Sequence, residues 1–255
     1  FYFDFIDKDN YSNNIFQVTN QITIDGKYQN RYDVTLLING LPLVQIELKR
    51  RGVEMGQAFH QIVRYKRNSY SSGAGLFDYV QLFIISNGVN TKYFANNKTL
   101  NFKQTFFWSD ENNKKVSALN EFTDVFLKPH HISKMVSKYI VMADTERALM
   151  VLRPYQFYAT ERIINKVKTL LTNAVKKRLI SDRPIGCLLS GGLDSSLIAA
   201  LVKNIHKGEL HTWSIGFEGS DDLKYAQMVA DHIGSIHHSI IVTEEEFLFA
   251  IPDVI

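Results

Sequence analysis

From residue 185 onward the sequence alternates between short apolar segments and amphipathic segments, and this alternation constrains the fold most strongly. Strand-like segments lie at residues 185–189, 210–217 and 237–242, with helical patterns from Ser196 to Val202 and at 222–233 between them. Strands that alternate with helices pair in parallel, because each helix returns the chain to the same edge of the sheet. The pattern therefore predicts a parallel α/β unit.

The sequence before residue 185 has a different pattern, in which strands dominate the first hundred residues. Alternating or continuous apolar runs predict strands at 14–24, 32–38, 43–49, 79–88 and 91–97. Helical spacing predicts helices at 54–69, 117–127, 131–149 and, after Pro154, within 151–180. We therefore expect an α/β protein with a mixed sheet and flanking helices at 1–150, a helical connector at 151–180 and the parallel unit at 181–255.

The strands at 32–38 and 43–49 carry their best core residues at even positions. To bury both even rows on one face, paired residue numbers must sum to an even value, as in Val34 with Ile46. A two-residue Asn-Gly turn gives odd sums and would mix core with solvent. The pattern therefore predicts a loop of odd length, with Gly40 at positive φ.

This register predicts that Asp33 lies opposite Glu47, with Lys49 next along the same face. Two carboxylates are hard oxygen ligands for Mg²⁺. A neighbouring lysine can orient a water molecule and stabilise charge that develops on a phosphate. On the following helix, Gln61 and Tyr65 are four residues apart and share a face. The set is typical of metal-dependent phosphodiester cleavage, although a charged face of an exposed hairpin could produce the same pattern.

A second chemical pattern, "SGGLDSS", occupies residues 190–196 between a strand and a helix. Glycines let backbone N–H groups face an anion, and a helix N-terminus favours phosphate. Asp194 could hold Mg²⁺ on that phosphate, and Ser195 and Ser196 could donate hydroxyl hydrogen bonds. No lysine follows the glycines, which excludes a Walker A loop. The pattern predicts a pyrophosphate cradle; the alternative is an ordinary strand-to-helix turn capped by serine.

Composition excludes several classes of protein. Cys187 is the only cysteine, so an internal disulfide is impossible, and no apolar run is long enough to span a membrane. We expect a cytoplasmic protein with no membrane partner. The net charge is +3, and "KRR" (49–51) and "RYKR" (64–67) add positive charge suited to a phosphate backbone. The adjacent histidines at 237 and 238 are expected to point to opposite faces of a strand, and we interpret them as ordinary strand residues and not as metal ligands.

Residues from about 1 to 164 resemble the N-terminal part of the motor (R) subunit of type I restriction enzymes. The resemblance rests on "RYDVTLLINGLPLVQIELKRRG" (31–52), "QIVRY" (61–65), "LFIISNG" (82–88) and "LRPYQ" (152–156). It implies a PD-(D/E)xK nuclease core that cleaves DNA, with modification and specificity subunits as partners. No Gly-x-Gly-Lys-Thr type loop follows, so the ATP-driven motor of that family is absent from this sequence.

That resemblance implies a role for each matching residue. Asp33 and Glu47 correspond to the metal-binding carboxylates and Lys49 to the catalytic lysine. Gln61 and Tyr65 correspond to the Gln-x-x-x-Tyr pair that supports DNA cleavage. Tyr32 stands where many relatives have proline, a difference to which we attach no consequence.

Residues from about 168 to 255 resemble the synthetase domain of glutamine-dependent asparagine synthetases. The resemblance rests on "AVKKRLISDRPIGCLLSGGLDSSLIAALV" (174–202) and "SIGFEGSDDLKYAQMVADHIGS" (214–235). It implies an ATP pyrophosphatase loop for Mg²⁺ and ATP. The ATP-binding residues that it implies are Leu189, Ser190, Gly191, Gly192, Asp194, Ser195, Ser196 and Ile215, with Asp194 as the metal ligand. The glutaminase and the aspartate-binding segment of that family are missing.

Three hypotheses follow from these two resemblances. The first is a Mg²⁺-dependent DNA endonuclease module followed by a partial PP-loop domain. The second is a fragment of an ATP-dependent amidoligase of asparagine synthetase type. The third is a non-catalytic chimera of two fragments, joined between the first family's last match near Ile164 and the second family's first match near Leu170.

Overall fold

The computed structural model describes residues 5–25, 29–67, 75–145 and 147–254. The chain divides into two compact units, Phe1–Glu161 and Arg162–Ile255. This division falls within the segment 151–180 that the sequence marks as a connector, and the predicted domain limits stay a prediction. No helix within the described ranges is long and apolar enough to cross a membrane.

The first unit is built on a five-stranded mixed sheet. Its strands are β1 (Phe16–Asp25), β2 (Gln29–Ile38), β3 (Leu41–Leu48), β4 (Leu82–Ser86) and β5 (Thr91–Ala95). They lie side by side in chain order, with β3 and β4 parallel and the other neighbours antiparallel. A parallel pair needs a long crossover, and here it contains helix α1 (Met55–Tyr65). The predicted mixed sheet is confirmed; residues 68–69 of the predicted helix lie outside the described residues.

Both faces of the sheet are buried at its centre, and the side chains of β4 alternate between two cores. Leu82 and Ile84 enter the larger core, whereas Phe83 and Ile85 pack in the core beneath α1. Six consecutive residues of β3 are buried, as expected for a central strand that is covered on both sides. The hairpin face that carries Glu47 is therefore interior.

The larger core lies between the sheet and the elements that follow it. These elements are the short strands β6 (Trp108–Ser109) and β7 (Lys115–Val116) and the helices α2 (Leu119–Phe126) and α3 (Pro129–Lys138). Trp108 is fully buried, with its ring centroid 5.0 Å from that of Phe126 and 5.4 Å from that of Phe157. Aromatic rings thus fill much of this core.

The turn between β2 and β3 confirms the predicted register and contradicts the predicted loop length. Val34 pairs with Ile46, as the even-sum rule requires. However, Ile38 pairs with Leu41, so the turn has two residues, asparagine with φ of 51° and Gly40 with φ of 86°. Two consecutive positive φ angles are the property of the type I′ turn, which Asn-Gly favours.

A β-bulge reconciles this turn with the register. Leu36 pairs with Val44, but the next residue, Leu37, pairs with Pro42, so that Leu43 is an extra residue on β3. Leu43 is 3% exposed, and its carbonyl accepts a hydrogen bond from the Gln81 backbone N–H at 3.0 Å. The extra residue changes the sum of the paired residue numbers from odd beside the turn to even farther along the strands. The prediction of an odd-length loop had placed this change in the turn itself.

The predicted helix at 131–149 is wrong in its second half. Helix α3 ends at Lys138, and a hairpin follows, made of β8 (Ile140–Ala143) and β9 (Ala148–Val151). Its first strand opens with the β-branched pair Ile140-Val141, which favours extended backbone. The hairpin is also held from outside, because the Asn97 side chain exchanges two hydrogen bonds with the backbone of Leu149.

The second unit contains the predicted parallel sheet, and its three strands lie in chain order. Helix α4 (Pro154–Arg178) begins in the first unit, and the second unit continues with β10 (Gly186–Leu188), α5 (Leu193–Ile205), β11 (His211–Gly216), α6 (Asp221–Ile233), β12 (Ile236–Ile241) and α7 (Glu244–Val254).

One face of this parallel sheet is covered and the other is open. Leu189 packs against Ala199 of α5 and against Ala226 and Ala230 of α6 in a small core. On the other face, side chains such as Leu188 and Ile215 are exposed, at 83% and 63%. Parallel sheets are normally covered on both faces, so this open face is the unusual feature of the second unit.

His131 gives the first unit a predictable sensitivity to acid. Its ring packs against Trp108 and Phe157, and its buried Nε2 has no hydrogen-bond partner in the described part of the chain. Burial, helped by Lys134, lowers the His131 pKa to about 4. Above pH 6.5 the His131 side chain is neutral in both the folded and the unfolded chain, so the free energy of unfolding loses nothing there to its protonation. As pH falls towards 4, about 3 kcal/mol is lost, because the unfolded chain takes up the proton first.

We therefore expect His131→Phe to flatten the dependence of unfolding free energy on pH between 6.5 and 4. Urea unfolding at several pH values measures that slope, and His130→Gln, at the exposed neighbouring position, is the matched control. An unchanged slope in His131→Phe would contradict the assignment.

Candidate functional site

The predicted residues Asp33, Glu47, Lys49, Gln61 and Tyr65 lie together where β3 ends beside β2 and α1. Asp33 lies on β2, and its Oδ2 accepts a hydrogen bond from the backbone N–H of Leu48 at 2.8 Å. This contact places Asp33 beside the segment from Glu47 to Lys49. The structure thus brings together the two carboxylates and the lysine that the register argument grouped.

A chain of side-chain hydrogen bonds fixes Lys49. Its Nζ donates to Glu47 Oε1 at 2.7 Å and also to Gln61 Oε1. Gln61 Nε2 donates to the hydroxyl of Tyr65, which in turn donates to the carbonyl of Arg31 at 2.7 Å. Gln61 and Tyr65 are one turn apart on α1, so the helix holds both on the side that faces β3. The lysine amine is therefore held from the strand and from the helix.

Glu47 is the electrostatic centre of this group. Its side chain is fully buried, and its Oε2 has no hydrogen-bond donor within the described ranges. Burial raises the Glu47 pKa to about 7; the Lys49 hydrogen bond opposes the rise, and the charge of Asp33 adds to it. The Glu47 carboxyl is therefore partly protonated near neutral pH, and its charged form is short of compensating positive charge.

These features fit a divalent cation. A buried carboxylate oxygen without a donor, beside a second carboxylate, is stabilised by a proton or by a bound cation. The described residues contain no cluster of three or more His, Cys, Asp or Glu suited to a metal, so Asp33 and Glu47 would be the only such side-chain ligands. Backbone carbonyls and water, which Mg²⁺ commonly keeps, would complete its coordination.

Positive charge surrounds this end of the sheet. Arg50 and Arg51 follow β3 and are exposed, and Arg64 is exposed on α1. Lys66 is not part of this group, because its Nζ donates to Asn96 Oδ1 at 2.9 Å and the backbone N–H of Asn96 bonds to Gln81 at the opposite end of the sheet. The three arginines are suited to contact phosphates near the carboxylates.

The sequence interpretation missed the polar layer beneath the site. Thr35 donates to Gln45 Oε1 at 2.7 Å, and both residues are buried on the face that carries Asp33 and Glu47. The ring of Tyr32 meets that of Tyr65 edge to face, with centroids 4.8 Å apart. The sequence carried a signal for this layer, because Thr35 and Gln45 both lie at odd-numbered positions of paired strands. If that row is buried, each polar side chain needs a hydrogen-bond partner, and these two can serve each other.

The second predicted site, at residues 190–196, forms a tight turn into α5. Gly191 has a positive φ of 75°, and the hydroxyls of Ser190 and Ser195 lie 2.9 Å apart. Ser196 donates to the carbonyl of Gly192 at 2.7 Å, and Asp194 lies in the first turn of the helix. The loop thus begins a helix of 13 residues, whose N-terminus favours an anion.

The two residues predicted to contact adenosine differ in exposure. Leu189 is 1% exposed and belongs to the core of the second unit, whereas Ile215 is 63% exposed. Leu189 is therefore a core residue here as well as a predicted ligand contact. Their predicted roles, like those of all the site residues above, stay predictions.

Comparison with known families divides the sequence into two parts. Residues 1–102 match the family described as "Type I restriction enzyme R protein N terminus". Residues 166–255 match the family described as "Asparagine synthase". The two matches do not overlap, and both predicted resemblances are confirmed. The chain is therefore a two-part sequence that combines a region similar to each family.

Individual relatives support the same division. An endonuclease subunit of a type I restriction enzyme from Staphylococcus saprophyticus is 49% identical over 173 residues, which are 68% of this chain and 18% of the relative. The EcoprrI endonuclease subunit of Escherichia coli is 45% identical over 171 residues, 66% of this chain and 54% of the relative. The glutamine-hydrolysing asparagine synthetase of Homo sapiens is 50% identical over 103 residues, 38% of this chain and 18% of the relative. The chain thus spans only part of each relative.

Among solved structures, an NH3-dependent NAD synthetase from Campylobacter jejuni overlaps 36% of this chain and 41% of its own, with 19% identity and a TM-score of 0.30. That score is too low to assign a fold.

Proposed function

We propose that the first unit is a Mg²⁺-dependent DNA endonuclease module of PD-(D/E)xK type, as in the R subunit of type I restriction enzymes. Its mixed sheet with flanking helices is compatible with that fold. The relatives' names describe endonuclease subunits of such enzymes, so DNA is the expected substrate. Modification and specificity subunits are the expected partners.

The observation that carries this proposal is the state of Glu47. A fully buried carboxylate with one oxygen that has no donor among the described residues is costly unless a proton or a cation compensates for it. Asp33 lies beside it and increases that cost, since the two negative charges repel. A merely structural carboxylate would be expected to have both oxygens satisfied.

Each residue of the site has a chemical role in this proposal. Asp33 and Glu47 would hold Mg²⁺, which lowers the pKa of bound water and polarises the scissile phosphate. Lys49 places a positive charge where negative charge develops on the phosphate, and it can orient the attacking water. Gln61 and Tyr65 are positioning residues, because they act through the Lys49 amine. Arg50 and Arg51 supply contacts to the DNA backbone.

Cleavage of a supercoiled plasmid tests the proposal directly. With Mg²⁺ the full chain is expected to convert supercoiled DNA to nicked or linear products, and with EDTA the DNA should stay supercoiled. Ca²⁺ is expected to support binding of the DNA without cleavage. Equal cleavage with Mg²⁺ and with EDTA, or no cleavage with Mg²⁺, would contradict the proposal.

A second candidate function, for the second unit, is binding of ATP with Mg²⁺ at residues 190–196. The specific observation is the turn at Gly191, whose positive φ and following helix N-terminus form the geometry that accepts phosphate. Asp194 in the first helical turn would hold the metal.

A further inference from the structure

A lysine lies in the same cross-strand row as Glu47. Glu47 on β3 pairs with Ile85 on β4, and Ile85 pairs with Lys92 on β5, so all three side chains point to the face that α1 covers. Neighbouring strands lie about 4.8 Å apart, so the backbone of Lys92 is about 10 Å from that of Glu47. Lys92 is therefore a cationic group close to the candidate cleavage site.

The row continues beyond β5 to the aromatic ring of Phe107. Tyr93 and Phe106 form an antiparallel bridge through two backbone hydrogen bonds of 2.9 Å, which sets Phe107 opposite Lys92. The Lys92 Nζ lies 4.8 Å from the centroid of the Phe107 ring. Lys115 on β7 approaches the same ring, with its Nζ 3.5 Å from the centroid. One ring thus holds two ammonium groups.

Among the described residues, neither of these ammonium groups is paired with a carboxylate, because the ion pairs found there involve other lysines. Lys92 donates to the Thr105 hydroxyl at 3.1 Å, which leaves two of its three N–H donors for a ligand, and Lys115 is exposed. Burial lowers the pKa of Lys92, and the charge of Lys115 lowers it further. An anion held between the two lysines would offset both effects.

We propose that Lys92, Lys115 and Phe107 form a phosphate-binding platform that holds the DNA backbone beside the scissile phosphate. This inference rests on the proposed endonuclease function and adds a contact surface to it. A phosphate has acceptor oxygens on several sides and can accept from both ammonium groups at once. The phosphate bound here would lie a few nucleotides from the one that is cut, since B-DNA rises about 3.4 Å per nucleotide.

Fluorescence anisotropy of a short labelled DNA duplex, measured with the full chain in Ca²⁺, tests this platform. Lys92→Gln and Lys115→Gln are each expected to weaken binding by about threefold or more and to lower the slope of log Kd against log salt by about one. Phe107→Leu keeps an apolar side chain but loses the ring face, so it should weaken binding as well. Lys98→Gln is the matched control, because Lys98 is exposed beyond the other end of β5.

Acetylation of lysines with and without the duplex is a second measurement, and it needs no variant. Mass spectrometry should show that the duplex protects Lys92 and Lys115 and leaves Lys98 unprotected. Equal acetylation of Lys92 and Lys115 with and without DNA would overturn the proposal. Binding by both lysine variants with the affinity and salt dependence of Lys98→Gln would also overturn it.

The nuclease proposal can fail separately from this one. A chain that binds the duplex through these lysines but does not cleave DNA with Mg²⁺ would contradict the catalytic function alone. A chain that cleaves with Mg²⁺ but binds DNA without these lysines would contradict the platform alone.

Discussion

Replacing Lys49 by alanine is expected to lower the rate of Mg²⁺-dependent DNA cleavage by about 100-fold or more. The Lys49 amine is held by Glu47 and Gln61, and no other cationic group is hydrogen-bonded to Glu47 in the described part of the chain. The same loss is expected for Asp33→Ala, which removes one of the two carboxylates. Plasmid nicking rates at fixed Mg²⁺ measure both effects.

Two further variants separate chemistry from folding. Asp33→Asn keeps an oxygen that can accept from the Leu48 N–H and loses only the charge, so it should fold normally and still fail to cleave. Lys114→Ala, at an exposed position of the first unit, should cleave like the unmodified chain. Equal cleavage by the unmodified chain, Lys49→Ala and Asp33→Asn would refute the catalytic assignment and leave contaminating nuclease as the explanation.

Replacing Gly191 by alanine is expected to destabilise the second unit by about 3 kcal/mol or more and to abolish binding of ATP with Mg²⁺. An added Cβ would lie 2.5 Å from Tyr225 Cβ and 2.7 Å from the backbone nitrogen of Ala226, and the positive φ adds strain. Backbone atoms cannot move aside as a flexible side chain can. Hydrogen exchange of amides in α5 and α6 measures the loss.

Gly192→Ala is the matched control for this effect. There the nearest atom to an added Cβ is the Ser190 hydroxyl at 3.4 Å, and φ is −70°. The variant should keep the protection of α5 and α6. Asp194→Ala should also keep the fold while losing the heat of binding of ATP with Mg²⁺ in calorimetry. An unmodified chain that shows no such heat would end the nucleotide proposal, and slow exchange in Gly191→Ala would end the steric one.

The pairing of β2 with β3 could be predicted because burial acts on alternate residues. Val34 and Ile46 have to share a face, and this requirement alone puts Asp33 beside Glu47 and Lys49. Because Gln61 and Tyr65 are four residues apart in a predicted helix, their position on one face of α1 could also be predicted. What the alternation could not reveal was burial on the second face, since that depends on β4 and α1 folding over the strand.

Two other features required information that local sequence lacks. The turn at Gly40 adopts the conformation that Asn-Gly favours locally, whereas burial of apolar side chains decides the pairing of β2 with β3. The bulge at Leu43 makes the two compatible, and nothing in the local sequence predicts that bulge. The hairpin after Lys138 has a sequence that also suits a helix. Asn97, about fifty residues earlier in the chain, binds the backbone of Leu149 and favours the strand.

The extra residue at Leu43 separates the conformation of the turn from the pairing of the strands in the β2–β3 hairpin. In an unbroken hairpin, the length of the turn dictates which side chains face the core, so a change in one forces a change in the other. Here the bulged residue lets the turn keep the conformation that Asn-Gly favours, while the strands keep the pairing that buries their apolar side chains. Mutations could therefore alter the turn without disturbing the strand that carries Glu47 and Lys49, and the strand could change without redesign of the turn.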